Sequence, residues 1–184
     1  MAQPSSGNSR GGTVSVFVTA AVVILAFLVL PRVFAVKHPL EGTNAAAWSL
    51  PLVANVNPVD ASSKQLSLAQ LQGKAVVLDF WATWCGPCRD EAPILERFAR
   101  KHAADAVVVG VNTDDEPGLG GAWARKQGLT YPIVYDGERS AKRAYKVTAL
   151  PTLVMVSRTG KVTAVRVGVT DEGELDELLA QANK

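Results

Sequence analysis

Cys85 and Cys88 are the two cysteines of the 184-residue chain, held as Cys85-Gly86-Pro87-Cys88 in the stretch WATWCGPCRD. Thiols at this spacing can bind a metal, close a small loop, or trade electrons with another disulfide. A metal site takes about four ligands. Here there is no second cysteine pair, and the two histidines are badly placed. His38 lies in a spacer, and His102 is more than three turns of about 3.6 residues beyond Cys88; it reads as an exposed helix residue. A bridge between Cys85 and Cys88 closes too short a loop to restrain the unfolded chain much. Electron transfer explains more. The attacking species is a thiolate, and the positive end of a helix lowers a thiol's pKa. Cys85 just before a helix is set to attack, and Cys88 one turn in is set to resolve the mixed disulfide.

The residues around the pair fit that division. Pro87 presets the first helical turn, and Gly86 lets a partner chain approach. Trp84 reads as apolar rim and Trp81 as core. Asp79 is a carboxylate inside the apolar run AVVLDFWA, on the same strand face as Trp81. Burial raises a carboxyl pKa, so Asp79 is a candidate to take the Cys88 proton during resolution.

Positioning these groups needs a strand before the cysteines and a helix after them. AVVLDFWA, 75 to 82, reads as a buried central strand, and PILERFARKHA continues the helix that contains Cys88. AVVVGVNT, 106 to 113, is a second buried strand. GLGGAWARKQG is a helix ended by Gly128, YPIVYD a short strand, and GERSAKRAYKV a charged surface helix. TLVMVSRTGKVTAVRVG holds two strands around a Thr159-Gly160 turn. DEGELDELLAQANK is a closing helix with acids at its favoured end. AWSLPLVA and KQLSLAQL add two strands in front. The order from residue 75 is β-α-β-α-β-α-β-β-α, an α/β domain with a mixed sheet covered by helices on both faces. The acidic run Asp114 to Glu116 reads as a solvated loop.

Residues 1–12 are polar and Gly/Ser-rich and read as a disordered tail. Thr13 to Leu30 carries no charge. As a helix it is about 27 Å long, against a hydrocarbon core of about 30 Å. It reads as a membrane anchor over 13–31, with a signal peptide cut after Ala35 as the alternative. Residues 32–43 are a linker and 44–184 the domain, with HPLEGTNAAA, 38 to 47, as spacer. The net charge of +2 and the absence of any Lys/Arg run argue against a nucleic-acid partner.

VVLDFWATWCGPCRDEAPILERF, with VTALPTLVMVSRTGKV far downstream, resembles the thioredoxin superfamily. Together with the anchor, SLAQLQGKAVVLDFWATWCGPC, VVVGVNTDDEP and GAWARKQGLTYPIVYD, the pattern resembles its membrane-anchored branch, the TlpA/ResA-like thiol-disulfide oxidoreductases. The resemblance implies a thioredoxin-like fold with an N-terminal β-hairpin addition and an inserted helix. It implies that Pro151 is a cis-proline and that Leu150 and Pro151 contact substrate. It further implies a monomer on the extracytoplasmic, periplasmic side of a bacterial cell membrane, with no cofactor. Such a protein takes electrons from a membrane thiol donor and passes them to exported proteins with disulfides; apocytochrome c thiols are a candidate target. Many TlpA-like sequences carry Asn where Asp79 stands, and the Gly86-Pro87 dipeptide is that of thioredoxin itself. Both features favour a reductase. The competing readings are a thiol peroxidase, for which Thr83 is present but no proline precedes the cysteine suitably, and a non-catalytic binding module.

Overall fold

The computed structural model describes residues 22–24, 37–55, 64–114 and 116–184. The chain divides into two units, Met1–Lys37 and His38–Lys184. In the first, residues 22–24 are helical; the rest of the anchor or signal segment lies outside the described residues. Among the described residues no helix is long and apolar enough to cross a membrane.

The second unit contains β1 (Ser49–Ala54), β2 (Gln65–Ser67), β3 (Ala75–Trp81), α1 (Gly86–Lys101), β4 (Ala106–Asn112), α2 (Leu119–Gln127), β5 (Ile133–Tyr135), α3 (Ser140–Ala144), β6 (Thr152–Val156), β7 (Val162–Val167) and α4 (Glu172–Ala182). The strands form one sheet in the order β2-β1-β5-β4-β3-β6-β7. The central pairs β3–β4 and β4–β5 are parallel, and β6 and β7 return antiparallel. The mixed sheet and the added β1–β2 hairpin match the sequence reading.

Every residue of β3 and β4 is buried. Runs rich in Val with no alternation suit strands covered on both faces. Ala75, Val77 and Trp81 pack with Leu95 and Phe98 of α1 and Leu175 and Leu178 of α4. Val76, Leu78 and Phe80 face the opposite layer with Ala141, Tyr145, Trp48 and Leu71. Helices therefore cover both faces.

Three expectations change. KQLSLAQL is a strand only over Gln65–Ser67; Leu68–Leu71 is a 3-10 turn. Gln70 Oε1 accepts from the Ser67 backbone N–H at 2.8 Å, which bends the chain where the strand was expected to continue. The surface helix GERSAKRAYKV shrinks to α3, and Tyr145 after it is buried, its hydroxyl donating to Ala46 O at 2.8 Å. The spacer is not free of the domain. Gly42 N donates to Val162 O, Val162 N to Thr43 O, and Ala45 N to Gly160 O, each within 2.9 Å.

Candidate active site

The cysteine loop leaves the C-terminal end of β3. Cys85 N donates to Ala82 O at 3.1 Å, closing a turn that delivers Cys85 to the N-cap of α1. Gly86 and Pro87 fill the first helical positions, where the backbone N–H groups have no partner inside the helix, so the proline removes nothing the helix uses. Cys85 Sγ accepts the Cys88 N–H at 3.3 Å, and the two sulfurs are bonded to each other. Cys85 is 5% exposed and Cys88 3%, so the two differ in their place on the helix and little in access. Approach is from one side. A side chain at Gly86 would meet nothing within 4 Å, Pro87 is exposed, and Trp84 is 69% exposed while Trp81 is buried. Trp84 thus forms a rim and Trp81 belongs to the core, as the sequence suggests.

Strand pairing brings the downstream motif to the same place. Thr152 at the start of β6 is in register with Phe80. Pro151 therefore lies beside Trp81, where the cysteine loop departs. The Leu150–Pro151 peptide is cis, Leu150 is half-buried, and Pro151 O accepts from Gly168 N at 2.9 Å. Val167 and Val169 flank Gly168 and are 64% and 48% exposed. They extend the apolar surface, and the sequence reading did not single them out.

Two carboxyls are buried on the cysteine side of the sheet. Asp79 shares its strand face with Trp81, and its Oδ1 has no hydrogen-bond partner among the described residues. Burial, then the charge of Glu91, pushes its pKa well above the usual carboxylate range. Glu91 is fully buried one helical turn after Cys88. Its Oε1 accepts from Thr170 N at 2.8 Å, and its Oε2 has no partner among the described residues. Burial pushes Glu91 up to about 7, only partly opposed by the Thr170 N–H. A group titrating there can accept a thiol proton at neutral pH and return it.

The comparisons with known proteins agree with this geometry. The Redoxin family model matches residues 49–181. Thiol-disulfide oxidoreductase ResA of Bacillus subtilis (strain 168) is 30% identical over 160 residues, covering 86% of this chain and 85% of that protein. The thioredoxin-like protein YneN of the same organism is 33% identical over 142 residues, covering 76% and 78%. The crystal structure of a thiol:disulfide interchange protein, a thioredoxin family protein from Chlorobium tepidum TLS, matches with a TM-score of 0.65 at 25% identity, over 80% of this chain and 99% of that one.

The chain belongs to the redoxin family. It is a ResA-like member of the thioredoxin superfamily, a thiol-disulfide oxidoreductase.

Glu91 is the buried acid of this redoxin that the sequence reading missed. The signal was present. With the helix starting at Gly86, positions 88, 92, 95 and 98 form the buried stripe, and 91 falls within it. The apolar residues of PILERFARKHA alone do not mark it, because that run starts two residues later. The acidic loop needs a second correction. Asp114 is not solvated but 2% exposed, because the end of β4 runs beside the cysteine loop and Thr83 turns its donors toward the carboxylate. Glu116 is exposed as expected. His102 is half-buried, its ring 4.6 Å from that of Phe98 and its Nε2 2.8 Å from Asp176 Oδ1. It caps α1 and ties that helix to α4 instead of standing free.

Proposed function

We propose that this oxidoreductase is a membrane-tethered, extracytoplasmic reductase of protein disulfides that uses the Cys85–Cys88 dithiol. The Cys85 thiolate attacks one sulfur of a substrate disulfide, forming a mixed disulfide and expelling the other substrate sulfur as thiolate. Cys88 gives its proton to the buried carboxyl pair of Asp79 and Glu91 and attacks Cys85. The Cys85–Cys88 bond forms, the mixed disulfide breaks, and the substrate leaves with two electrons gained. A membrane thiol donor restores the dithiol.

The observation that carries this reading is Cys85 at the N-cap of α1, with the Cys88 N–H aimed at its sulfur. Developing charge on that sulfur is stabilised where the helix dipole is positive. Trp84, Gly86, Pro87, Leu150 and Pro151 would hold an extended substrate segment at the open side of the loop. The direction of electron flow follows Gly86-Pro87 and Asp79, both shared with thioredoxin. Tethering follows the uncharged segment 13–30. Exported proteins with disulfides, apocytochrome c among them, are the substrates, and the protein acts as a monomer.

Insulin reduction tests the activity. The full chain with dithiothreitol should precipitate the insulin B chain, and Cys85→Ser should abolish this. Activity that survives Cys85→Ser would refute the dithiol mechanism. For the location, protease should reach the domain in spheroplasts; protection until the membrane is dissolved would contradict an extracytoplasmic face.

A further inference from the structure

The turn that carries Cys85 needs something to hold it. Trp84, its largest side chain, is mostly in solvent and cannot fix the turn by burial. Thr83, just before it, is fixed from the end of β4. Its backbone N–H lies 3.0 and 3.2 Å from the two Asp114 carboxylate oxygens, and its hydroxyl donates to Oδ1 at 3.0 Å. Asn112 Nδ2 donates to Asp114 Oδ2 at 2.8 Å. Beside these bonds, Thr113 N donates to Trp81 O at 2.9 Å. A buried carboxylate that accepts from both the N–H and the hydroxyl of Thr83 fixes that residue in two directions, and losing the acceptor would leave those donors unpaired.

We propose that Asp114 is a positioning residue for Cys85: its buried carboxylate grips Thr83 and so keeps the attacking sulfur at the N-terminus of α1. The inference rests on the reading of Cys85 as the attacking thiol. Asp114 acts through hydrogen-bond geometry, and asparagine can reproduce that geometry. In Asp114→Asn the side-chain carbonyl would accept from Thr83, and the new amide would face Asn112. Asn112 Oδ1 has no partner among the described residues, so turning the Asn112 amide over supplies the missing acceptor. Alanine can do neither.

The test follows alkylation of Cys85 against pH in the reduced full chain for Asp114→Ala, Asp114→Asn and Thr83→Val. The other buried titratable groups near the loop, Asp79, Glu91 and Cys88, are the same in all three. In Asp114→Ala the Cys85 midpoint should rise by about half a unit or more, roughly a threefold loss of thiolate at neutral pH. Asp114→Asn should restore the native midpoint. Thr83→Val keeps the N–H but loses the hydroxyl, so it should move the midpoint the same way by less; it decides the matter should Asp114→Ala not fold. A folded Asp114→Ala or Thr83→Val with the native midpoint overturns the proposal, as does an Asp114→Asn midpoint as high as that of alanine. A native Cys85 that titrates like free thiol instead overturns the reading on which the proposal rests.

Discussion

The backbone N–H of Cys88 lies 3.3 Å from Cys85 Sγ. The bond runs from the first turn of α1 to its N-cap, so the two cysteines occupy unlike positions although they lie only three positions apart. One sulfur faces free helix donors, and the other belongs to the helix itself. The variants should differ accordingly. Cys85→Ser should give no covalent adduct with a disulfide substrate. Cys88→Ser should accumulate a mixed disulfide through Cys85, visible as an added mass on non-reducing analysis. Equal adduct formation by both variants would contradict the division of roles.

Stability should fall as pH rises through the range where Glu91 titrates. Its pKa is about 7 in the folded chain against an ordinary 4.5. Between those values the folded state holds a proton that the unfolded state has released, so folding weakens as pH increases. At about 1.4 kcal/mol per unit, the shift corresponds to a loss of about 3 kcal/mol. Asp79 is raised as well and acts with the same sign. Glu91→Gln keeps an acceptor for Thr170 N and removes the charge. It should be more stable than the native protein at pH 8, and its urea midpoint should change less between pH 5 and 8. A native protein that gains stability over that interval relative to Glu91→Gln would argue against the buried acid.

The same carboxyls should govern resolution. If Asp79 and Glu91 receive the Cys88 proton, the double variant Asp79→Asn, Glu91→Gln should release substrate from the mixed disulfide about a hundredfold more slowly. Its initial attack by Cys85 should stay closer to the native rate. Acid-quenched single turnovers separate the two steps. Native resolution in the double variant would remove both residues from the mechanism.

Gly110 sits opposite Asp79 in the β3–β4 register. A Cβ there would come within 2.7 Å of Ile133 Cδ1 and 2.9 Å of Trp81 Nε1. Ile133 is fully buried, and the buried Trp81 indole packs against Trp123, 5.1 Å between ring centroids. Gly110→Ala should therefore cost about 1–3 kcal/mol from overpacking. A denaturant titration with an unchanged midpoint would show that this part of the core is looser than its geometry indicates.

The elements that hold the site were readable because their signals are local. β3 and β4 are short buried runs rich in Val, with aromatics in β3, Gly128 ends α2 in a left-handed conformation, and Asp171 caps α4 by accepting from Glu174 N. The cysteines and the cis Leu150–Pro151 peptide were located by motif. What stayed hidden depends on distant partners. Nothing near Asp114 in the sequence shows that Thr83, far upstream, will turn its donors toward it. Glu91 looks like one more charged helix residue until the helix phase is counted from Gly86 and Thr170 is brought to it by α4. Tyr145 similarly falls in a charged stretch, and only the fold brings Ala46 to its hydroxyl.

The central claim is that Cys85 is poised as the nucleophile while Cys88 is held back to resolve. Alkylation of the reduced chain across a pH series, with each cysteine quantified separately by peptide mass analysis, tests it most directly. Cys85 should react first, with an apparent pKa clearly below the free-thiol value of about 8.5, and Cys88 should lag at every pH. Two thiols that titrate together near the free value, with neither preferred, would contradict it.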